Sequence, residues 1–171
     1  MEKAGFRNSA ADPCLSYRKC NEKRLHVAIY VDHDLIVGSN EEEITAFLNT
    51  LQCEFDITFG TLDSFLDIKI KQNENGAIMI SQEKYTKEIL ERFRMAESNM
   101  NSTPIGYEEN DQNETEAISS SVPYSEAIGC LMYLSIATRP DIRFAVSKAS
   151  RAMRKPTASD WNRVQRIFRY L

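Results

Sequence analysis

Residues 24–38, Arg-Leu-His-Val-Ala-Ile-Tyr-Val-Asp-His-Asp-Leu-Ile-Val-Gly, constrain this chain more than any other segment. Leu25, Val27, Ile29 and Val31 alternate with His26, Ala28 and Tyr30, the two-residue period of a strand with one buried face. Asp32-His33-Asp34 interrupts the run, and Leu35-Ile36-Val37 resumes it before Gly38. The pattern predicts a β-hairpin with three polar residues at its tip. Extended chain would put Asp32 and Asp34 on one face, whereas a tight turn would not preserve that relation.

The elements that follow are mixed. Ser39 or Asn40 can cap a helix beginning at Glu41, whose three glutamates favour the positive end of the helix dipole. Ile44, Phe47, Leu48 and Leu51 give it an apolar stripe to about Glu54. A second hairpin runs in through Phe65, Ile68 and Ile70, turns at Asn73-Glu74-Asn75-Gly76, and leaves through Ile78 and Ile80. Ser81 is the expected cap of the next helix, with Tyr85, Ile89, Leu90 and Phe93 on its buried side. Residues 96–122 are polar and acidic and predict a flexible linker. Three helical stretches are expected beyond it, over about 123–137, 140–154 and 157–171. In the last, Trp161, Val164, Ile167, Phe168 and Leu171 form an apolar face, and Arg163, Arg166 and Arg169 lie on another.

Charge is unevenly spread. The net charge is −4, yet Arg139–Leu171 alone carries nine Lys/Arg against two acids. That basic end is the candidate for phosphate contacts, although an ordinary solvated helix face has the same composition. With 42% hydrophobic and 27% charged residues, the chain is neither wholly disordered nor collagen-like. No apolar run approaches the ~18 residues that span a bilayer, and the first residues have no apolar core of a secretory signal. Cys14, Cys20, Cys53 and Cys130 show no CxxC spacing, which fits reduced thiols in the cytoplasm or nucleus.

A polar hairpin tip alone is most simply a solvated turn, but its surroundings carry a wider pattern. Tyr30-Val31-Asp32, an apolar strand and Gly38 resemble the Tyr-Val-Asp-Asp hairpin of copia-type retrotransposon reverse transcriptases. Gly5-Phe6 with Ala11-Asp12-Pro13-Cys14-Leu15 resembles the segment upstream of that hairpin. Phe65-Leu66-Asp67-Ile68-Lys69-Ile70 is similar to the family's Phe-Leu-Gly-Ile segment, and Ser81-Gln82 with Tyr85 to its Ser-Gln-x-x-Tyr helix. Ser102-Thr103-Pro104, Ile128-Gly129-Cys130-Leu131-Met132-Tyr133-Leu134, Thr138-Arg139-Pro140-Asp141-Ile142 and Arg169-Tyr170-Leu171 continue the likeness in order.

The resemblance implies an α+β chain. Residues 1–95 would be a partial polymerase palm and the start of a thumb, with two β-hairpins and a packing helix. Residues 96–122 would be the linker, and 123–171 a helical connection leading toward an absent RNase H domain. It also implies Mg²⁺-dependent addition of dNTPs to a primer 3′ end on an RNA or DNA template. Asp32 would be a metal ligand, Tyr30 would lie near the nucleotide and primer end, and Asp34 would be a carboxylate in reserve. Leu66 and Lys69, in the primer-gripping element, and Arg163, Arg166 and Arg169 would contact nucleic acid.

Two departures bear on activity. His33 stands where the family has its second hairpin aspartate, and Asp34 falls on an ordinarily apolar position. A slipped turn that returns Asp34 to the carboxylate role is the other alignment. The family's remaining metal-binding aspartate precedes the Gly-Phe segment, and nothing in the first 24 residues replaces it. The expectation is therefore no polymerisation by this chain alone. A non-catalytic nucleic-acid-binding module is the competing reading.

Overall fold

The computed structural model describes residues 4–20, 22–106 and 117–171. They form a mixed α+β architecture in two compact units, divided between Phe65 and Leu66.

The first unit is an antiparallel meander. Strands β1 (Arg7–Asn8), β2 (Leu15–Cys20), β3 (Lys23–Tyr30) and β4 (His33–Gly38) pair in chain order. Helix α1 (Glu41–Glu54) lies on one face of the sheet. Asn40 is its cap, accepting the Glu43 N–H at 3.0 Å, while Ser39 instead accepts from the Arg24 N–H at 2.9 Å. Phe6, Leu25, Val27 and Phe47 are the buried core, with the Phe6 and Phe47 rings 4.8 Å apart. The Arg18 guanidinium covers both rings and bonds Glu43 at 3.2 Å, closing the edge of this small core. Gly38 permits the close approach of helix and sheet, because a Cβ there would meet Ile44 at 2.9 Å and Leu25 at 3.0 Å. The opposite sheet face leaves Tyr17 and Val37 exposed. The unit ends on the two-residue strand β5 (Ser64–Phe65).

The second unit opens with a tight turn. Leu66 and Asp67 both have left-handed backbones, φ 50° and 60°. The expected continuous strand from Phe65 to Ile70 is therefore broken there. Strand β6 (Ile68–Gln72) then pairs with β7 (Ile78–Ser81) around a turn in which Gly76 adopts φ +81°. Helix α2 (Glu83–Arg92) is preceded by Gln82, not capped by Ser81, which is the last residue of β7. The Gln82 side chain turns away from the helix end and accepts the Thr138 hydroxyl at 2.8 Å.

Helices α3 (Tyr124–Ala137), α4 (Arg143–Ser150) and α5 (Ala158–Tyr170) complete this unit. Pro140 opens a 3-10 turn, Pro140–Ile142, leading into α4, which stops at Ser150 rather than near 154. Thr157 and Asp160 form a capping box at the start of α5. Ile89, Phe93 and Met95 pack in one core with Ile128, Leu131, Leu134, Val146, Val164 and Phe168. Phe93 and Phe168 stack with centroids 4.9 Å apart. Within the stretch 96–122, residues 107–116 lie outside the described residues. Both described ends are hydrogen-bonded into this unit: the Asn101 N–H donates to the Arg169 carbonyl at 2.9 Å, and the Ile118 N–H to Pro156 at 2.9 Å. No helix among the described residues is long and apolar enough to cross a membrane. Cys14, Cys53 and Cys130 are free thiols.

Candidate functional site

The last rung of the β3–β4 ladder pairs Tyr30 with His33, so the hairpin turns on two residues, Val31 and Asp32. The tip expected to hold Asp32, His33 and Asp34 thus contains only the first of them. His33 and Asp34 belong to β4, where Asp34 stands opposite Ile29. Since neighbours on a strand face opposite ways, Asp34 shares the α1 side of the sheet with Ile29, and His33 shares the other with Tyr30. In this register the turn is not slipped.

Val31 holds φ at 55° and is 87% exposed. A positive first central angle is the signature of a type II′ turn, a place that favours glycine. A β-branched residue there is strained, by roughly 1–2 kcal/mol. Antiparallel pairing on both sides imposes the conformation. The turn projects Asp32 into solvent, where its side chain is 81% exposed and Oδ1 lies 4.0 Å from His33 Nε2. Tyr30 is more than half exposed beside it.

One exposed carboxylate facing an imidazole does not make a two-metal centre. Mg²⁺ takes oxygen ligands in octahedral array, and imidazole suits softer metals. Among the described residues no group of three or more His, Cys, Asp or Glu is placed to hold a metal ion. The residues present do not by themselves fit the pair of cations that nucleotidyl transfer uses.

The remaining predicted contacts lie in the second unit. Leu66 is half-buried, and its carbonyl accepts the Tyr133 hydroxyl. Lys69 is exposed on β6, on the same side as Lys71. Both lie near Glu83, whose carboxyl is held below the usual range chiefly by the Lys87 ammonium, with Lys69 and Lys71 adding to the effect. Part of the positive field of β6 is thereby balanced within the unit.

Arg163, Arg166 and Arg169 recur every three residues of α5 and line a single pocket of about 330 Å³ together with Lys148 of α4. The segment 101–106 closes one side. Lys148 and that segment carried no sequence signal linking them to the arginines. The contact is long-range, and patterning along α4 or α5 does not say which distant segments meet.

The family model for reverse transcriptase (RNA-dependent DNA polymerase) matches residues 1–107, which include the hairpin, α1, the β6–β7 pair and α2. The chain belongs to the reverse transcriptase family. Its relatives include Pol polyproteins of copia-type transposons. The retrovirus-related Pol polyprotein from transposon TNT 1-94 of Nicotiana tabacum is 33% identical over 100% of this chain and 14% of its own length. That from transposon RE2 of Arabidopsis thaliana is 30% identical over 98% of this chain and 12% of its own length. An uncharacterized mitochondrial protein of Arabidopsis thaliana is 30% identical over 86% of this chain and 61% of its own length. This reverse transcriptase segment therefore spans a small part of the Pol polyproteins it matches. No solved structure matches it.

Proposed function

We propose that this chain is the palm-and-connection part of a copia-type reverse transcriptase, and that it takes part in RNA-directed DNA polymerisation only with carboxylates supplied from outside these residues. The observation that carries this reading is the placing of Asp32 on a two-residue turn beside exposed Tyr30, inside the region matched to the family. The first unit would serve as palm, and the β6–β7 pair, with Leu66 and Lys69, as the primer grip. The helices from α2 onward would serve as thumb and connection. Asp32 is the carboxylate this chain contributes to a shared divalent-cation site. Tyr30 borders the primer end, and Asp34, on the helix side of the sheet, is a poorer candidate ligand than its spacing suggested. Arg163, Arg166 and Arg169 favour contact with primer–template phosphates.

Primer extension tests it. The chain alone, with primer–template, dNTPs and Mg²⁺, should incorporate nothing. Fused behind the upstream part of the tobacco polyprotein's polymerase, it should extend primers, and Asp32→Asn should abolish extension. Incorporation by the isolated chain, or extension that survives Asp32→Asn, would overturn the reading. A non-catalytic nucleic-acid-binding module is the second reading, favoured by the four cations of the α4–α5 pocket. It requires binding that persists in EDTA.

A further inference from the structure

Helix α1 covers one face of the four-stranded meander, and the ladders decide what the other face carries. Arg7 pairs with Tyr17, Tyr17 with His26, and His26 with Val37. Paired residues project to the same side, and that side is opposite the one from which Leu25 and Val27 enter the core. These four residues therefore form one row across all four strands, over three inter-strand spacings or roughly 14 Å. Lys19 and Arg24 pair in the next row on the same face.

The row is open. Arg7, Tyr17, Lys19, Arg24, His26 and Val37 are all exposed, Val37 by 51%. The Tyr17 and His26 rings lie 6.4 Å apart and within 33° of parallel, so both can present a ring face to one flat ligand chain. The two sides of the sheet also differ in how their cations are answered. On the helix side Glu43 lies 3.2 Å from Arg18 and 3.9 Å from Lys23. On the open side Arg7, Lys19 and Arg24 make no ion pair among the described residues.

Rings beside cations on a flat antiparallel face suit a polyanion whose units carry π faces. A duplex hides those faces in its own stack, and a flat sheet cannot enter its grooves as a helix does. An unpaired strand offers both bases and phosphates. An apolar polypeptide would match Val37 but would leave the three cations facing no charge.

We infer that the open face of the β1–β4 sheet binds single-stranded nucleic acid, with bases stacked on Tyr17 and His26 and phosphates held by Arg7, Lys19 and Arg24. This deepens the nucleic-acid-binding reading, on which it rests for the class of polymer, and it needs no cation site and none of the α5 arginines.

The test is fluorescence anisotropy of labelled oligo-dT with the full chain in EDTA, beside a duplex probe of equal length. Tyr17→Ala should weaken oligo-dT binding about tenfold and His26→Ala about threefold, while Tyr17→Phe and His26→Phe, which keep a ring, stay near wild type. Arg7→Gln and Lys19→Gln should each reduce the salt slope by roughly 0.7. The Phe variants guard against a folding defect, because they preserve the surface that the Ala variants remove. Unchanged affinity in Tyr17→Ala and His26→Ala overturns the inference. If binding falls only with Arg163→Gln, Arg166→Gln and Arg169→Gln, the nucleic-acid reading stands and this face is refuted; no binding at low salt refutes both. Duplex binding as sensitive to Tyr17→Ala as oligo-dT binding would refute the unpaired strand. Self-association that Tyr17→Ala abolishes, seen by sedimentation without oligonucleotide effects, would give the face to a second copy instead.

Discussion

His33 Nε2 stands 4.0 Å from Asp32 Oδ1 at the end of the β3–β4 hairpin, so the residue in place of the family's second aspartate faces the first one. Both side chains are mostly in water, and the pair adds little to stability. Its consequence is chemical: an imidazole, which brings no negative charge, occupies the side from which a second carboxylate would help hold a cation.

His33→Asp should therefore improve divalent binding. The expected gain in Mn²⁺ affinity, read from paramagnetic broadening of the hairpin resonances, is about tenfold, from one added carboxylate charge at this separation. No gain would mean that the turn directs the two side chains apart.

The strained turns should respond to glycine. Val31 at φ 55° and Asp67 at φ 60° both occupy the left-handed region. Asp67→Gly should stabilise by about 0.5 kcal/mol and Val31→Gly by up to ~1 kcal/mol, since the relief of strain exceeds the added chain entropy. Urea midpoints check this, and a lower midpoint for either variant contradicts it.

Alkaline stability should depend on Tyr124. Burial pushes its phenol up to about 12, and the Asp160 charge adds to the shift. The hydroxyl donates to the Ala149 carbonyl at 2.8 Å, a bond that only the neutral form makes. A raised folded-state value means stabilisation that is whole below pH ~10 and lost as pH climbs toward 12, up to about 2 kcal/mol. Tyr124→Phe should be less stable than wild type at pH 7 by ~1 kcal/mol, and that deficit should vanish across this window. A constant difference between the two chains would refute it.

The bond between Thr138 and Gln82 predicts an asymmetry. Gln82 is buried, and its Nε2 already lacks a partner among the described residues. Thr138→Val would strand Oε1 as well and should cost about 1–3 kcal/mol, whereas Gln82→Met, which removes the buried amide, should be nearly neutral. Thermal midpoints of the two variants give the comparison.

Several elements were legible because their causes are local. Alternation marks β3 and β4, Asn40 and the acidic first turn mark α1, Asn75-Gly76 marks the second hairpin, and Thr157 marks the start of α5. The turn positions of Val31 and Leu66-Asp67 were not, because neither segment has glycine where the backbone is left-handed. Val31 reads as strand by its branching, and Leu66 is held by the Tyr133 hydroxyl, 67 residues away. Ser81 reads as a cap, yet the ladder with Lys69 keeps it in β7.

The local order of residues along the sequence pointed to a mixed α+β chain with Asp32 near a hairpin tip and a basic C-terminal helix, because periodicity and charge are properties of neighbours along the chain. Only the tertiary structure placed Asp34 on the helix side of the sheet, brought Ile89 and Phe93 into one core with Phe168, and gathered Lys148, Thr103 and Gly106 around Arg166. Those relations depend on pairing register and on packing between distant segments, where burial and hydrogen-bond satisfaction of the whole unit outweigh the preference of any single residue.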